Sequence, residues 1–124
     1  MAAAMNGPSK VVRSVLIVDD DEGVRQMIAD YVKTAGREAW EASNGLEALW
    51  IVKHRRPGLV LLDLTMPRLD GYETIRHIHK FDPSIRIVVI TGDITEATRQ
   101  RVAGLGVDLL LKPIDLRSLN ALFA

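Results

Sequence analysis

The chain has 124 residues, enough for one domain with a buried core of its own. Sixteen Lys and Arg residues balance sixteen Asp and Glu residues, which argues against direct nucleic-acid binding or a dedicated anionic-membrane surface. The sequence contains no cysteine, which excludes disulfides and thiolate metal sites and is compatible with the cytosol. Apolar stretches are all much shorter than the ~20 residues of a membrane span. The N-terminus has no basic segment leading into an apolar one, so a signal peptide is not expected.

The first residues do not resemble the rest of the chain. We expect residues 1–10 to be a disordered leader, in part left over from cloning, with Met5 as an alternative start. Residues 11–124 then form a single domain without a linker or an internal repeat.

Four short apolar runs each end at a reactive polar group. The runs begin at Val15, Leu59, Ile87 and Leu109, and the polar groups that follow them are Asp19–Asp21, Asp63, Thr91 and Lys112. Continuous apolar runs of this length are typical of strands covered on both faces, as in a parallel sheet. Residues 37–42 are a weaker candidate for a further strand.

Helical patterns lie between and after these strands. The predicted helices run from Glu22 to Ala35, from Asn44 to the basic run 53–56, from Gly71 to about Phe81, from Thr95 to Gly104 or Gly106, and from Asp115 onward. In the fourth helix we expect Ala97 and Val102 to face inward, and we interpret Trp40 and Trp50 as packing residues. The order βαβαβαβαβα predicts right-handed crossovers with helices on both faces of the sheet.

The polar groups at the strand ends predict a metal site. Parallel strands have all their C-terminal ends at one edge, where open α/β sheets bind ligands. Carboxylates held close together repel each other, and a hard divalent cation relieves that repulsion. Asp19, Asp20 and Asp63 are therefore candidate ligands of Mg²⁺, whereas Asp21 and Glu22 are explained by a dipole-stabilised helix N-terminus.

Asp63 is the best candidate nucleophile, because carboxylates can form acyl phosphates. The attacking group and a phosphoryl donor are both anionic, so the site needs the metal and the ammonium group of Lys112. Thr91 could hydrogen-bond a phosphoryl oxygen. A cis peptide bond between Lys112 and Pro113 would aim the lysine back across the site.

Four segments carry a resemblance to a known family, the receiver domains of two-component response regulators, over residues 11–124. They are VLIVDDDEGVR (Val15–Arg25), LVLLDLTMPRLDGYE (Leu59–Glu73), IVVITG (Ile87–Gly92) and LLKPID (Leu110–Asp115). The resemblance implies a flavodoxin-like, doubly wound α/β fold: a five-stranded parallel sheet of order 2-1-3-4-5 with five helices.

The resemblance also implies a role for each site residue. Asp63 is the phospho-acceptor, and Asp19 and Asp20 hold Mg²⁺ with it; Mn²⁺ is a conceivable substitute. The backbone carbonyl of Thr65 completes the protein ligands, Thr91 is the switch hydroxyl, and Lys112 contacts the phosphoryl group.

The family further implies a cytoplasmic protein that receives its phosphoryl group from a sensor histidine kinase or a histidine phosphotransfer protein. Such a domain catalyses only its own phosphorylation and dephosphorylation. The downstream effector, or a fused output domain, cannot be named from the sequence.

Two features depart from the family pattern. Receivers usually have an aromatic residue three positions before the lysine, and here that position is Leu109. The segment Gly106–Asp108 also reaches the lysine about one residue sooner than is common. We therefore expect a weaker or differently transmitted rearrangement of the fourth helix and fifth strand.

The sequence disfavours three alternative functions. A phosphatase of the haloacid dehalogenase type needs a second Asp two residues after the nucleophile, where this chain has Thr65. A receiver that only docks partners would be favoured by loss of the acceptor, the lysine or the acidic pair, and all are present. Nucleotide or flavin binding is disfavoured because the turn after the first strand is acidic rather than glycine-rich.

Overall fold

Strands and helices alternate along the parts of the chain, residues 12–64 and 70–123, that this computed structural model describes. The strands are β1 (Ser14–Val18), β2 (Glu38–Ala42), β3 (Leu59–Asp63), β4 (Arg86–Thr91) and β5 (Asp108–Leu111). The helices are α1 (Glu22–Thr34), α2 (Gly45–Arg55), α3 (Gly71–Phe81), α4 (Glu96–Gly104) and α5 (Leu116–Phe123). The leader predicted for residues 1–10 and the metal-binding carbonyl implied for Thr65 lie outside the described ranges.

The strands form one sheet in the order β2-β1-β3-β4-β5, and every neighbouring pair is parallel. This confirms the predicted order 2-1-3-4-5. The register aligns the strand ends, since Val18 pairs with Leu62, Asp63 with Ile90, and Thr91 with Leu111. The C-terminal ends of neighbouring strands therefore lie side by side at one edge.

The sheet divides the core into two apolar clusters, one on each face. One contains buried side chains from α1 and α5 and is completed by Val15, Ile17, Leu59 and Leu61 from the central strands. The other contains buried side chains from α2, α3 and α4 against Leu16, Val18, Val60 and Leu62. Alternate residues of β1 and β3 thus point into opposite clusters, which explains why both strands read as continuous apolar runs.

Polar caps fix where several helices begin. Asn44 accepts a hydrogen bond from the Glu47 amide, and Glu47 accepts one from the amide of Ser43, the residue before the cap. Asp70 caps α3 through the Tyr72 amide. A Cβ on Gly71 would lie 3.0 Å from backbone atoms of Leu64, so α3 approaches the end of β3 too closely for a larger residue.

Three expectations about exposure were wrong. Trp50 is 57% exposed and stacks on His54 with ring centroids 4.1 Å apart, so it does not pack in the core. Ala97 is exposed, because Val102 is the only residue of α4 that is buried against the core. Strand β5 is only partly covered, and Leu111 is exposed, because this strand is at the edge of the sheet. Trp40, in contrast, packs against the core as predicted.

The peptide bond between Lys112 and Pro113 is cis, as the sequence suggested. No helix within the described ranges is long and apolar enough to cross a bilayer.

Candidate functional site

Three carboxylates meet where β1 and β3 end. Asp19 follows β1 directly and Asp63 is the last residue of β3, which is the neighbouring strand. Together with Asp20 they offer one oxygen each, and these oxygens all lie within 4.8 Å of one another. Asp19 and Asp63 are 2% and 3% exposed, whereas Asp20 is exposed to solvent. The group is therefore buried on the sheet side and open on the other.

Lys112 reaches the same carboxylates from the loop that follows β5. Its Nζ lies 3.4 Å from Oδ2 of Asp63 and 3.5 Å from Oδ2 of Asp19. The side chain must cross the end of β4 to reach β3 and β1, because the strand order puts β4 in between. One ammonium group is thus shared between two buried carboxylates.

Burial raises the pKa of Asp19, and the nearby charge of Asp63 raises it further. The hydrogen bond from the Asp21 amide and the charge of Lys112 act in the opposite direction without cancelling the rise. Burial would lower the pKa of Lys112, but the charges of Asp63 and Asp19 outweigh it and raise that pKa. The lysine therefore stays firmly charged while the site holds more negative charge than one ammonium neutralises.

The main chain around Asp19 is held in place by hydrogen bonds. The Asp19 amide donates to the carbonyl of Ala42, and the Asp21 amide donates to Oδ1 of Asp19 at 2.9 Å. Arg25 donates from Nη1 to the carbonyl of Asp19 at 2.9 Å and from Nε to Glu41 at 3.0 Å. The metal-site prediction from the sequence did not include Arg25, because no motif or spacing distinguishes it from an ordinary residue of an amphipathic helix.

Thr91 is the last residue of β4 and is 2% exposed. Its carbonyl accepts a hydrogen bond from the Lys112 amide at 2.9 Å, and its Oγ1 accepts one from the Asp93 amide at 3.0 Å. Because Oγ1 acts as the acceptor here, the hydroxyl hydrogen remains available to another partner. Thr91 thus lies one strand away from Asp63, next to the backbone that carries Lys112.

The carboxylates suit a hard divalent cation. Mg²⁺ prefers oxygen ligands, commonly takes one or two carboxylates, and keeps several waters. Asp19, Asp20 and Asp63 supply such oxygens, and the exposed side of the group leaves room for water. Burial and the charge of Asp63 raise the pKa of Asp19 and so disfavour its ionised form, and a bound cation would relieve both effects.

Comparisons with known proteins agree with this fold and identify the family. The family model of the response regulator receiver domain matches residues 15–124. The chain is 35% identical over 104 residues to sporulation initiation phosphotransferase F of Bacillus subtilis, covering 82% of this chain and 83% of that protein. It is 38% identical over 103 residues to chemotaxis protein CheY of Thermotoga maritima, covering 82% and 86% respectively.

Solved structures show the same likeness. Chemotaxis protein CheY4 of Vibrio cholerae, crystallised at low pH, superposes with a TM-score of 0.83 at 26% identity, covering 90% of this chain and 95% of that one. The chain belongs to the response regulator receiver domain family. It is therefore a receiver domain of two-component signal transduction, and receiver domains are signalling modules that bind Mg²⁺ at an acidic aspartate cluster.

Proposed function

We propose that this chain accepts a phosphoryl group on Asp63 from a phosphohistidine of a sensor histidine kinase or a histidine phosphotransfer protein. The observation that carries the proposal is the surroundings of Asp63. This buried carboxylate ends a central strand, with the Lys112 ammonium at 3.4 Å and the carboxylates of Asp19 and Asp20 close by. We further propose that the receiver domain comprises residues 11–124 and acts in the cytoplasm.

The chemistry follows from the charges. A carboxylate oxygen of Asp63 forms a bond to phosphorus while the bond from phosphorus to the imidazole nitrogen breaks. The electron pair of the broken bond stays on the imidazole nitrogen. Lys112 offsets the charge on the phosphoryl oxygens, and the Thr91 hydroxyl donates a hydrogen bond to one of them. Water later attacks phosphorus, which releases inorganic phosphate and restores the Asp63 carboxylate.

Asp19, Asp20, Asp63 and the backbone carbonyl of Thr65 would hold Mg²⁺, with Mn²⁺ as a substitute. The oxygens of the three carboxylates support this assignment, and the Thr65 carbonyl lies outside the described residues. When bound, Mg²⁺ would neutralise negative charge shared by these carboxylates and the phosphoryl oxygens.

A partner must bring its phosphohistidine to the open side of the site. An apolar cleft of about 470 Å³ is lined by Lys112 together with Val24, Met27, Pro113 and Ile114. This surface offers a partner protein apolar contact area next to the lysine of the site. The likeness to a Bacillus subtilis protein named as a phosphotransferase also supports phosphoryl transfer.

The domain would catalyse only its own phosphorylation and dephosphorylation. A docking-only receiver has less support, because Asp63, Lys112 and the acidic pair are all present. A phosphatase of the haloacid dehalogenase type has less support still, because Thr65 stands where that chemistry needs an Asp.

The proposal is tested by labelling with acetyl phosphate and Mg²⁺, followed by intact-protein mass spectrometry. The wild type should gain one phosphoryl group, and Asp63→Asn should gain none. Asp30→Asn is the matched control, because it removes an exposed carboxylate on α1 and should label like the wild type. Stoichiometric labelling of Asp63→Asn would refute the assignment.

A further inference from the structure

Thr91 is tied to helix α4 through a single residue, Asp93. The Asp93 amide donates to Oγ1 of Thr91 at 3.0 Å, so the backbone of Asp93 contacts the hydroxyl. The Asp93 carboxylate accepts from the Thr95 amide at 2.9 Å and from the Thr98 hydroxyl at 2.7 Å. Asp93 therefore contacts Thr91 on one side and the first turn of α4 on the other.

The carboxylate of Asp93 is held firmly in this position. The Thr98 hydroxyl and then the Thr95 amide stabilise its ionised form and lower the pKa of Asp93. The Thr95 hydroxyl separately caps α4 by accepting from the Thr98 amide at 3.3 Å. The Thr95 hydroxyl also donates to the Thr98 hydroxyl at 3.2 Å, so the two hydroxyls contact each other. The cap uses the Thr98 amide, whereas the contact to Asp93 uses the Thr98 hydroxyl.

Helix α4 is only lightly held by the core. Among its nine residues, all of which are described, Val102 is the only buried one. A helix with so little buried apolar surface moves at low cost compared with its neighbours. The first turn of α4 can therefore follow a displacement of Asp93 at low cost.

Receivers usually have an aromatic residue that responds to the switch hydroxyl, whereas this chain has an aliphatic residue, Leu109, at that position. Leu109 pairs with Val89 across the sheet and packs against the cluster that contains Val102. A leucine offers neither a ring to turn inward nor a polar group to follow the Thr91 hydroxyl. The hydrogen bonds through Asp93 remain as a direct connection between Thr91 and α4.

We infer that Asp93 is a positioning residue that transmits the state of Thr91 to helix α4. When Thr91 shifts its hydroxyl toward a phosphoryl group on Asp63, the Asp93 amide follows Oγ1, and the carboxylate carries or releases the first turn of α4. This inference rests on the proposed function, because it needs a phosphoryl group at Asp63.

The test compares amide chemical shifts of the full chain with Mg²⁺ alone and with Mg²⁺ plus beryllofluoride, a phosphoryl mimic. In the wild type, beryllofluoride should shift amides near Asp19, Asp63 and Thr91 and also those of Glu96–Gly104. Thr98→Val removes the hydroxyl that donates to Asp93 and accepts from Thr95, but keeps the amide that the cap binds. In this variant the α4 shifts should fall by roughly half or more while those around Asp63 persist. Thr98→Ser keeps a hydroxyl and should restore the α4 response.

Thr95→Ala separates transmission from helix stability. It removes the cap hydroxyl, together with that hydroxyl's bond to Thr98 and its smaller contribution to Asp93. The two stronger contacts to Asp93, from the Thr95 amide and the Thr98 hydroxyl, are kept. Amide exchange in α4 should accelerate, yet the beryllofluoride response of α4 should be retained. A full response in Thr98→Val, or equal losses in Thr98→Val and Thr95→Ala, overturns the inference and leaves the proposed function intact. Absence of any shift around Asp63 in the wild type overturns both.

Discussion

The ammonium group of Lys112 lies 3.4 Å from Oδ2 of Asp63, although the two residues are 49 positions apart in the chain. The contact exists because β3 and β5 run parallel and end at the same edge, with only β4 between them. The same ammonium lies 3.5 Å from Asp19, so it offsets only part of the charge of the two buried carboxylates. The remaining negative charge governs how the site responds to substitution, to Mg²⁺ and to pH.

Replacing Lys112 with Met should slow the labelling of Asp63 by acetyl phosphate by about 100-fold, because a fixed charge that stabilises the transferring group is lost. Mg²⁺ binding should not weaken, since the ammonium no longer competes with the cation for Asp63 and Asp19. Labelling rates at saturating Mg²⁺ and calorimetric Mg²⁺ titrations measure the two effects. Lys33→Met, an exposed position at the end of α1, is the control. Unchanged labelling in Lys112→Met would remove the lysine from the mechanism.

Asp19→Asn should increase the free energy of unfolding of the metal-free protein by about 1 kcal/mol near pH 7. The raised pKa of Asp19 means that its ionised form is disfavoured in the folded state, and the amide removes that penalty. Urea unfolding in the presence of a chelator measures the change. A loss of stability would show that the contact with Lys112 outweighs the cost of burial.

Mg²⁺ should reverse this ranking. A ligand at 100 times its Kd stabilises the folded state by about 2.7 kcal/mol. The wild type should gain such an increment on adding Mg²⁺, and Asp19→Asn should gain clearly less because one carboxylate ligand is missing. Equal increments in both proteins would exclude Asp19 as a ligand.

The pH dependence of the metal-free protein follows from the direction of the Asp19 shift. Its folded-state pKa lies above the ordinary 3.8, so the folded protein binds the proton more tightly than the unfolded chain does. The penalty from Asp19 is therefore present above the folded-state pKa and disappears as the pH falls toward 3.8 and below. The stability difference between Asp19→Asn and the wild type should be largest near neutrality and shrink in acid, as measured by urea unfolding over that range. A difference that grew in acid would contradict the direction of the shift.

The central strand that carries Asp63 should tolerate little change. Leu62 is fully buried, and Leu62→Ala should reduce the free energy of unfolding by about 2–5 kcal/mol through lost burial and a cavity. Leu46, which is 60% exposed on α2, provides the matched control, and Leu46→Ala should change stability by no more than about 0.5 kcal/mol. Denaturant unfolding of the two variants gives the comparison. Similar losses in both would mean that the outer face of α2 is covered by something in solution.

Because Leu109 is aliphatic, we expect only modest changes of amide chemical shift in β5 on activation. With beryllofluoride and Mg²⁺, amide shifts in α4 and β5 should be smaller or differently distributed than in a receiver that has an aromatic residue at this position. The physical reason is that an aliphatic side chain packed against the core cannot turn inward as a ring does. A response of full size and the same distribution would show that the aromatic residue is dispensable.

The sequence predicted the sheet and the meeting of the acidic groups well, for a definite reason. Helices cover both faces of the segments Val15–Val18 and Leu59–Leu62, and strands buried in this way have uninterrupted apolar sequences. Once the strands are parallel, their C-terminal ends must share an edge, which brings Asp19 close to Asp63.

What the sequence missed depends on side-chain geometry. The bond from Arg25 to the Asp19 carbonyl and the bond from the Thr98 hydroxyl to Asp93 join residues with no characteristic spacing or residue type. The exposure of Trp50 and Ala97 was missed because both are apolar residues in helical segments, and a helix near the sheet's edge buries only a narrow stripe.

The two faces of the sheet differ in how their helices are anchored. On one face, α1 and α5 each pack three buried side chains into the core. They are Ile28, Ala29 and Val32 from α1, and Leu119, Leu122 and Phe123 from α5. On the other face, α4 is fastened by Val102 alone. Helices α1 and α5 should therefore move less readily than α4. We expect a chemical change at the C-terminal edge of the sheet to displace α4 first, and substitutions in α4 to alter that displacement without disturbing the strands that position Asp63.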